Sequence, residues 1–223
     1  MSNVEVNLRF GYTGPDQVRH SKVVFGRRLT GRDLFEMSEE EGFDKETQSQ
    51  LMMLGGAITS FGDLRMPVPM TVLMSLNRPD RMALARGYNA FLLKTAGGRK
   101  PKQLSDSKIQ LPFPFTRGGV EYDVVEFGTL IDAYMEGEAD ELEGLRKNYL
   151  IIGKEISELS QSEGTATMKG PVPLDMFEGL DAISLFALAE KESGWLNSFR
   201  AEGEEEESLP ANYIQADAGN RHE

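Results

Sequence analysis

The chain has 223 residues and a formal net charge of -12, because 36 acidic side chains stand against 24 basic ones. An acidic surface field repels phosphate, which argues against general nucleic-acid binding. The chain has no cysteine, which excludes disulfides, thiolate zinc sites and thiol nucleophiles and fits a reducing cytosol. No run approaches the roughly 18 apolar residues of a membrane span. Because the start, Met1–Glu5, also lacks a signal-peptide pattern, we expect no membrane contact.

The first predicted element is a β-hairpin. Apolar residues alternate with polar ones through its first strand, at Val4, Val6, Leu8 and Phe10. This period of two would place one face of the strand on a core. Gly-Pro-Asp chemistry at 11–16 then predicts a turn, and the apolar run at 23–25 predicts the return strand.

Two helices are predicted after the hairpin. Thr30, with Asp33 three residues later, has the pattern of a helix start, and this helix should end near Glu40. The second helix carries an apolar stripe formed by Leu51, Leu54, Ile58 and Phe61. Gly55 and Gly56 weaken its middle, so we expect a kink or the close approach of another backbone segment.

A proline-rich block, Met66-Pro67-Val68-Pro69, leads into two further helices. Each proline keeps the residue before it out of the helical region, so the approach should be extended. A short helix is predicted over 70–76, and a longer one starts at Pro79 and ends near Lys94. The inward stripe predicted for the longer helix is Met82, Ala85, Tyr88 and Leu92. The polar, basic segment 95–107 is predicted to be a linker.

A second hairpin is predicted after the linker. Its alternating runs at 109–115 and 120–127 are joined by Arg117-Gly118-Gly119, and a short Gly-Gly connection is a strong hairpin signal. The prolines of Leu111-Pro112-Phe113-Pro114-Phe115 are confined to sheet edges in most proteins, so we interpret them as protection of an edge strand.

The remaining elements are predicted to be helical up to an acidic tail. Helices are expected at 129–136, 138–159 and 174–196, with a loop at 164–170. The expected buried residues of the last helix are Phe177, Leu180, Ile183, Phe186, Leu188 and Trp195. Residues 198–223 contain a run of like charges and few apolar residues, so they are predicted to be disordered.

Three blocks recur in the same order in the two halves. The hairpin patterns recur, the pair Thr30 and Asp33 returns as Thr129 and Asp132, and Pro67–Met70 returns as Pro171–Leu174 at an offset of 104. We therefore predict an α+β fold with two similar modules, each an N-terminal β-hairpin followed by a small helical bundle. The predicted boundaries are 1–94 for the first module, 95–107 for the linker, 108–197 for the second module and 198–223 for the disordered acidic tail.

Few residues have a pattern that suits catalysis or metal binding. The two histidines, His20 and His222, lie in a predicted turn and in the tail, which leaves no imidazole pair or triad base. Each is interpreted as a solvated polar residue. Glu39–Glu41 is interpreted as a solvated face, and Asp132–Asp140 lacks the ligand spacing of a calcium loop. Gly97-Gly98-Arg99-Lys100 lacks the frame of a phosphate-binding loop. We predict no catalytic residue, no cofactor and no metal site.

The methionines leave two interpretations open. Six of the eleven lie in one stretch: Met52, Met53, Met66, Met70, Met74 and Met82. Methionine at helical spacing fills gaps in a hydrophobic core, but soft side chains also line grooves that adapt to a protein partner.

Three stretches of the first module have a combined pattern that is typical of one protein family: Thr30-Gly31-Arg32-Asp33-Leu34, Gly56-Ala57-Ile58-Thr59-Ser60-Phe61, and Leu73–Asp80 with Ala90-Phe91-Leu92. They resemble the small tail assembly chaperones of contractile-tailed bacteriophages. The resemblance covers about 90 residues and implies a hairpin, a Thr-Gly-Arg-Asp helix start and closing helices. This chain carries two such modules where that family usually has one, which also brings in the related baseplate-hub proteins of large myophages.

The resemblance implies a non-enzymatic role in the cytoplasm of a bacterial host. A protein of this family transiently binds the long tape-measure protein and shields its aggregation-prone helices until the tail tube polymerises around them. Met-rich helices and an acidic tail are compatible with capture of a helix in a groove. The alternative is a permanent structural subunit of a phage tail or baseplate, located in the virion. Formation of a homo-oligomer stays open.

Overall fold

The computed structural model describes residues 3–14, 17–43, 45–131, 137, 139 and 142–198. Within these ranges the chain is a mixed α+β fold with two antiparallel sheets, one of three strands and one of five. The predicted helix 129–136, the segment Asp132–Asp140, His222 and the tail 198–223 lie wholly or mostly outside the described residues. In the described part, no helix combines the length and the apolar character that a bilayer crossing requires.

The first sheet contains the predicted hairpin. Its strands are β1 (Val4–Thr13), β2 (Arg19–Phe25) and β3 (Ile58–Phe61), in the order β1-β2-β3. The alternation of β1 ends at a bulge between Asn7 and Tyr12. Leu8 is buried as predicted, but Phe10 is 50% exposed and does not join the core, because the bulge interrupts the period of two.

Four helices belong to the first half: α1 (Gly31–Ser38), α2 (Glu46–Ala57), α3 (Met70–Ser75) and α4 (Arg78–Thr95). The start predicted for α1 is confirmed. Oδ2 of Asp33 accepts hydrogen bonds from the backbone N–H of Thr30 at 2.9 Å and from its hydroxyl at 3.0 Å. The short helix α3 and the restart after it are also confirmed, with Asn77 as the N-cap of α4.

The predicted stripe of α2 runs too far. The helix ends at Ala57, and Ile58 and Phe61 lie on β3, where Ile58 pairs with Phe25 of β2. The chain continues as a strand after Ala57, because the carbonyl of Ala57 accepts the N–H groups of Gly26 and Arg27. The close approach expected at Gly55 is confirmed, since a Cβ there would lie 2.5 Å from the carbonyl oxygen of Val68.

The inward stripe predicted for α4 is wrong. The buried residues are Asp80, Leu84, Gly87 and Phe91, whereas Met82 and Ala85 face solvent. Tyr88 and Leu92 are half-buried. The helix is rotated because Gly87 lets it approach Val6 and Phe25 of the first sheet, where any Cβ would collide with the Val6 side chain.

The second sheet has five strands in chain order. They are β4 (Lys102–Gln103), β5 (Lys108–Arg117), β6 (Val120–Phe127), β7 (Ile156–Ser160) and β8 (Thr167–Lys169). The hairpin of β5 and β6 is confirmed, and its Gly118 and Gly119 have φ of 58° and 78°, as a type I′ turn requires. The segment 95–107 contributes β4, and the predicted loop 164–170 contains β8.

Three described helices belong to the second half: α5 (Gly144–Glu155), α6 (Leu174–Glu178) and α7 (Ala182–Asn197). The helix predicted over 138–159 is too long, because residues from Ile156 onward pair with β6 as β7. The helix predicted over 174–196 is divided by Gly179–Asp181. Phe177, Leu180, Leu188 and Trp195 are buried as expected, but Ile183 is half-buried and Phe186 is exposed.

Several elements and several contacts occur in the same order in the two halves. Each half has a bulged hairpin, a 12-residue helix that runs into a strand, and a short helix before a long one. Val68 donates to the carbonyl of Gly55, and Val172 donates to the carbonyl of Gly153. One cluster of buried apolar side chains extends through both halves.

Candidate functional site

The two halves meet in a short backbone pairing. The N–H of Gly31 donates to the carbonyl of Leu180 at 2.8 Å, and the N–H of Ala182 donates to the carbonyl of Leu29 at 3.0 Å. We call this contact, between residues 28–32 and 178–182, the junction. Glycine is required at position 31 because a Cβ would collide with the carbonyl oxygen of Phe177.

The side chain of Arg28 connects the first half to the second half at the junction. Its guanidinium carbon lies 3.8 Å from the centre of the Phe113 ring, and its Nε donates to Oδ2 of Asp181 at 2.8 Å. The other carboxylate oxygen of Asp181 accepts the N–H of Ile183 at 2.9 Å and caps α7. Arg28 thus combines a cation–π contact with an ion pair to a carboxylate that is largely buried.

Arg146 forms a second set of charged contacts beside the junction. Its Nε lies 3.0 Å from Oε1 of Glu39, its Nη1 lies 3.1 Å from Oε1 of Glu178, and its guanidinium is over the Phe35 ring. Arg32 reaches the other oxygen of Glu178 at 3.1 Å. The hydrogen bonds from Arg146 and then Arg32 hold the pKa of Glu178 below its ordinary value. Glu39 therefore takes part in an ion pair, although its side chain is exposed.

Asp80 shows how the fold uses a buried carboxylate. It is almost fully buried at the start of α4 and accepts the N–H groups of Arg9, Phe10 and Gly11 at 2.8, 3.1 and 2.8 Å. These donors belong to the bulge of β1, which leaves them without partners in the sheet. In the second half, Ser184 donates to the carbonyl of Phe113 and accepts its N–H at the matching bulge. Sequence reasoning missed both residues.

The methionine cluster does not form one surface. Met52 is buried, and Met53, Met66 and Met70 are half-buried against the core, so they fill gaps in the interior. Met74 and Met82 are exposed on α3 and α4. The two interpretations therefore apply to different members of the cluster.

Three exposed apolar residues lie on the outward face of α4, with the exposed polar residues Arg86 and Asn89 on the same face between them. Met82, Ala85 and Leu93 lie on this face, with Met82 52% exposed and Leu93 60% exposed. Three and eleven residues separate Ala85 and Leu93 from Met82, a spacing that keeps all three on one side of a helix. A strip that crosses three turns of a helix is a surface on which another amphipathic helix can pack.

His20 is buried, contrary to the prediction of a solvated residue in a turn. Strand β2 begins at Arg19, and the His20 ring stacks on Tyr12 and packs against Gly62. The prediction was wrong because the return strand begins at Arg19 and not at Val23, so His20 lies on the strand and not in the turn. In the described part of the chain, no three carboxylate, imidazole or thiol groups converge as a metal site would require.

A cleft of about 520 Å³ lies between the segment 95–107 and α7. Gln103, Asp106, Glu190 and Lys191 are among the residues that line it. The ammonium of Lys191 donates to the carbonyl of Ser105 at 2.6 Å, and burial lowers its pKa. Lys191 therefore ties the segment to α7. Gly97-Gly98-Arg99-Lys100 lies nearby in an exposed turn, as expected of a connection.

Strand β5 is not an edge strand over its whole length, because β4 pairs with its residues Ile109 and Gln110. Over Leu111–Phe115, β6 is its one neighbouring strand among the described residues, in agreement with the interpretation as an edge. The two prolines lie in the bulge between Gln110 and Phe115, where the ladder needs no N–H from them. Phe113 between them is bonded to Ser184 instead.

The described residues hold exposed apolar side chains on α4 and charged pairs at the junction. Each charged group at the junction has a partner of opposite sign. Comparisons of the chain with protein-family models, with curated proteins and with solved structures gave no match.

Proposed function

We propose that the chain is a non-enzymatic phage tail assembly factor, a chaperone that binds the tape-measure protein in the cytoplasm of the bacterial host. The observation that carries this proposal is the apolar strip of Met82, Ala85 and Leu93 on the outward face of α4. A tape-measure protein presents long helices, and an amphipathic helix packs by laying its apolar side on such a strip.

The segments that resemble the tail assembly chaperones support the proposal through their positions. Thr30–Leu34 forms the start of α1 and provides Gly31 and Arg32 to the junction. Asn77–Asp80 starts α4, where Asp80 holds the bulge of β1. The resembling residues therefore shape the fold and orient α4, whose outward face is the proposed binding surface.

We further propose that the chain consists of two copies of one module, covering residues 1–94 and 108–197. Equivalent hydrogen bonds support this: Gly26 and Gly128 both donate to the last carbonyl of the 12-residue helix of their half, which belongs to Ala57 and to Glu155. The bulges of β1 and β5 also occupy matching positions in the two hairpins. Two modules in one chain would present two long helices to one partner, α4 and α7.

The alternative, a permanent subunit of a tail or baseplate, is favoured by the charged junction. Two modules held together by Arg28–Asp181 and Arg146–Glu178 form the kind of stiff unit that a lattice requires. A chaperone and a subunit differ in one observable respect, since only the subunit remains in the mature particle.

The test combines mass spectrometry of purified virions with affinity capture from cells in which the phage is assembling. Three baits are compared: the natural chain, Leu93→Glu and Leu104→Glu, which places the same charge on another exposed leucine outside α4. The proposal expects the tape-measure protein to be captured by the natural chain and by Leu104→Glu but not by Leu93→Glu, with the chain absent from virions. Stoichiometric presence in virions would establish the alternative.

A further inference from the structure

We infer that a second copy of this chain docks at the start of α4, through the segment 128–131 of its second half. The contact would repeat between two chains the side-chain part of the junction, in which the residue at position 28 lies on an aromatic ring beside an N-cap residue. This inference concerns a different surface from the apolar strip of α4 and goes beyond the proposed function.

The template is the contact of Arg28 with the second half. Arg28 lies on the Phe113 ring and pairs with Asp181, while residues 29–31 pair with the backbone of residues 180–182. The receiving side therefore consists of an aromatic ring in a bulge, an N-cap residue and the backbone turn between a short and a long helix. The inserted side is the stretch between a β-strand and the next helix.

The first half contains an equivalent receiving side. Phe10 corresponds to Phe113, since both lie in a bulge and both bond through their N–H to a side chain at the start of the long helix, Asp80 or Ser184. Asn77 corresponds to Asp181, because each caps its long helix. We call Phe10, Met74 and Asn77 the receiving patch.

The second half contains an equivalent inserted side. Gly128 and Thr129 donate to the carbonyl of Glu155, as Gly26 and Arg27 donate to the carbonyl of Ala57. Leu130 is the next residue and so corresponds to Arg28. Thr129 therefore corresponds to Arg27, and its match with Thr30, predicted from the sequence, is wrong. Leu130 is 56% exposed, which is unusual for a leucine whose two preceding residues are both hydrogen-bonded to the backbone.

These two surfaces do not meet within one chain. The carbonyl of Leu180 accepts the N–H of Gly31, but the corresponding carbonyl of Leu76 accepts Nη1 of Arg81 from its own helix at 2.5 Å. Among the described residues, no hydrogen bond joins 128–131 to 76–78. Phe10 stays 50% exposed, although the guanidinium carbon of Arg9 lies 5.2 Å from its ring centre, and Leu130 stays 56% exposed. The Phe113 ring, in contrast, is covered by Arg28 from the other half.

The receiving patch and the segment 128–131 both lack the charged residues that occupy the corresponding positions of the junction. The internal pair Arg28 and Asp181 is replaced by Leu130 and Asn77, and Glu178 is replaced by Met74 at the corresponding position of the short helix. Leucine can therefore lie on the Phe10 ring without burying an unpaired carboxylate, which would be costly. This match between the two surfaces is the reason to identify the occupant as another copy of the chain.

Each chain then has one receiving patch and one inserted segment. Such a contact is heterologous, so copies close into a ring, with a pair of chains as the smallest ring, or continue as a row. The first half of every chain would receive the second half of its neighbour. A row of copies would present the apolar strips of α4 at regular intervals.

The experiment measures the mass and self-association of the purified full chain by sedimentation over a range of concentrations. The natural chain should exceed its monomer mass of 24.8 kDa as concentration rises. Asn77→Asp and Leu130→Arg should each weaken association by about tenfold or more, because each buries an unpaired charge. The double variant with both substitutions should associate again, because its new arginine and aspartate would form an ion pair between two chains, equivalent to Arg28–Asp181 within one chain. Asp caps a helix as well as Asn, but Asn77→Asp also replaces an amide that donates to Oδ2 of Asp80 at 3.4 Å by a carboxylate. Leu130→Arg leaves this contact intact and therefore tests the inference independently of any loss of stability in Asn77→Asp.

Leu104→Arg is the matched control and should associate like the natural chain, with thermal unfolding confirming that every variant folds. A natural chain that stays monomeric at all concentrations would overturn the inference. So would single variants that associate normally, or a double variant no better than either single one. Leu93→Glu separates this test from the proposed function, since it should lose the tape-measure protein but keep self-association.

Discussion

The carboxylate of Asp80, at the start of α4, accepts the backbone N–H of Gly11, in the bulge of β1, at 2.8 Å. The same carboxylate also accepts the N–H groups of Arg9 and Phe10, so one side chain replaces three missing sheet partners. The position of α4 against the first sheet, and with it the outward direction of the apolar strip, depends on this contact.

Replacement of Asp80 by asparagine should destabilise the chain by about 2 to 4 kcal/mol, because an amide nitrogen cannot accept and leaves buried donors unpaired. Asp80→Ser should cost at least as much, since one hydroxyl cannot accept the three N–H groups of Arg9, Phe10 and Gly11. Ser184 suffices in the second half because Phe113 lies between two prolines, which have no N–H. The free energy of unfolding in urea measures both. Asp175→Asn, at an exposed site in α6, should change it by less than about 0.5 kcal/mol. Equal losses at Asp80 and Asp175 would contradict the assignment.

Gly31→Ala should destabilise the chain by about 2 kcal/mol or more, because the added Cβ meets the backbone carbonyl of Phe177, which cannot move without breaking the junction. Gly194→Ala is the matched control. It lies in α7 with nothing within 4 Å of an added Cβ, so helix propensity predicts a gain of up to about 1 kcal/mol. Thermal unfolding of both variants tests the contrast, and a neutral Gly31→Ala would show that the junction is loose.

Arg28→Lys should weaken the junction by about 1 kcal/mol, because an ammonium cannot lie flat on the Phe113 ring and bind Asp181 at the same time. Arg28→Ala should cost more, since it leaves the largely buried Asp181 without its cation. The same Arg-to-Lys change at the exposed Arg86 of α4 is the control. In urea unfolding, the free energy of unfolding should fall most for Arg28→Ala, less for Arg28→Lys and least for Arg86→Lys.

The pH dependence of stability should reflect Glu178. Arg146 and Arg32 lower its pKa in the folded chain, so its carboxylate contributes stability above the unfolded-state pKa and loses this contribution as pH falls through the folded pKa. The melting temperature should therefore drop on acidification below the ordinary glutamate range, more steeply in the natural chain than in Glu178→Gln. Parallel curves would exclude Glu178 as the source.

Glu192 should act with the opposite sign. Burial raises its pKa, and a hydrogen bond from Glu155 offsets only part of this effect. The protonated form is thus favoured in the folded chain, so this contribution is present below the unfolded-state pKa and is lost as pH rises through the folded pKa. Glu192→Gln should consequently raise the melting temperature near neutral pH and change it little in acid. A lower melting temperature at neutral pH would contradict this reasoning.

Local elements were predictable where local chemistry decides them. The turn at Gly118 and Gly119, the helix start at Thr30 and Asp33 and the short helix after Pro69 all lie where their residue patterns predict. The predictions at Ile58 and Ile156 were wrong, because pairing with a strand far away in the sequence prevailed over the local pattern. The prediction at His20 was wrong because β2 begins before it and pairs it with Tyr12 in the same hairpin. The orientation of α4 was wrong because Asp80, a polar residue, is its anchor.

The sequence by itself determined the mixed α and β elements, the order in which they recur and the lack of a thiol, because these follow from residue type and spacing over a few turns. Only the tertiary structure decided which face of α4 is outward, that Arg28 covers Phe113, and that Phe10 and Leu130 stay exposed. Those outcomes depend on bulges and backbone contacts between residues far apart in the chain. Such contacts are set by the packing of whole elements and leave no periodic signal in the sequence.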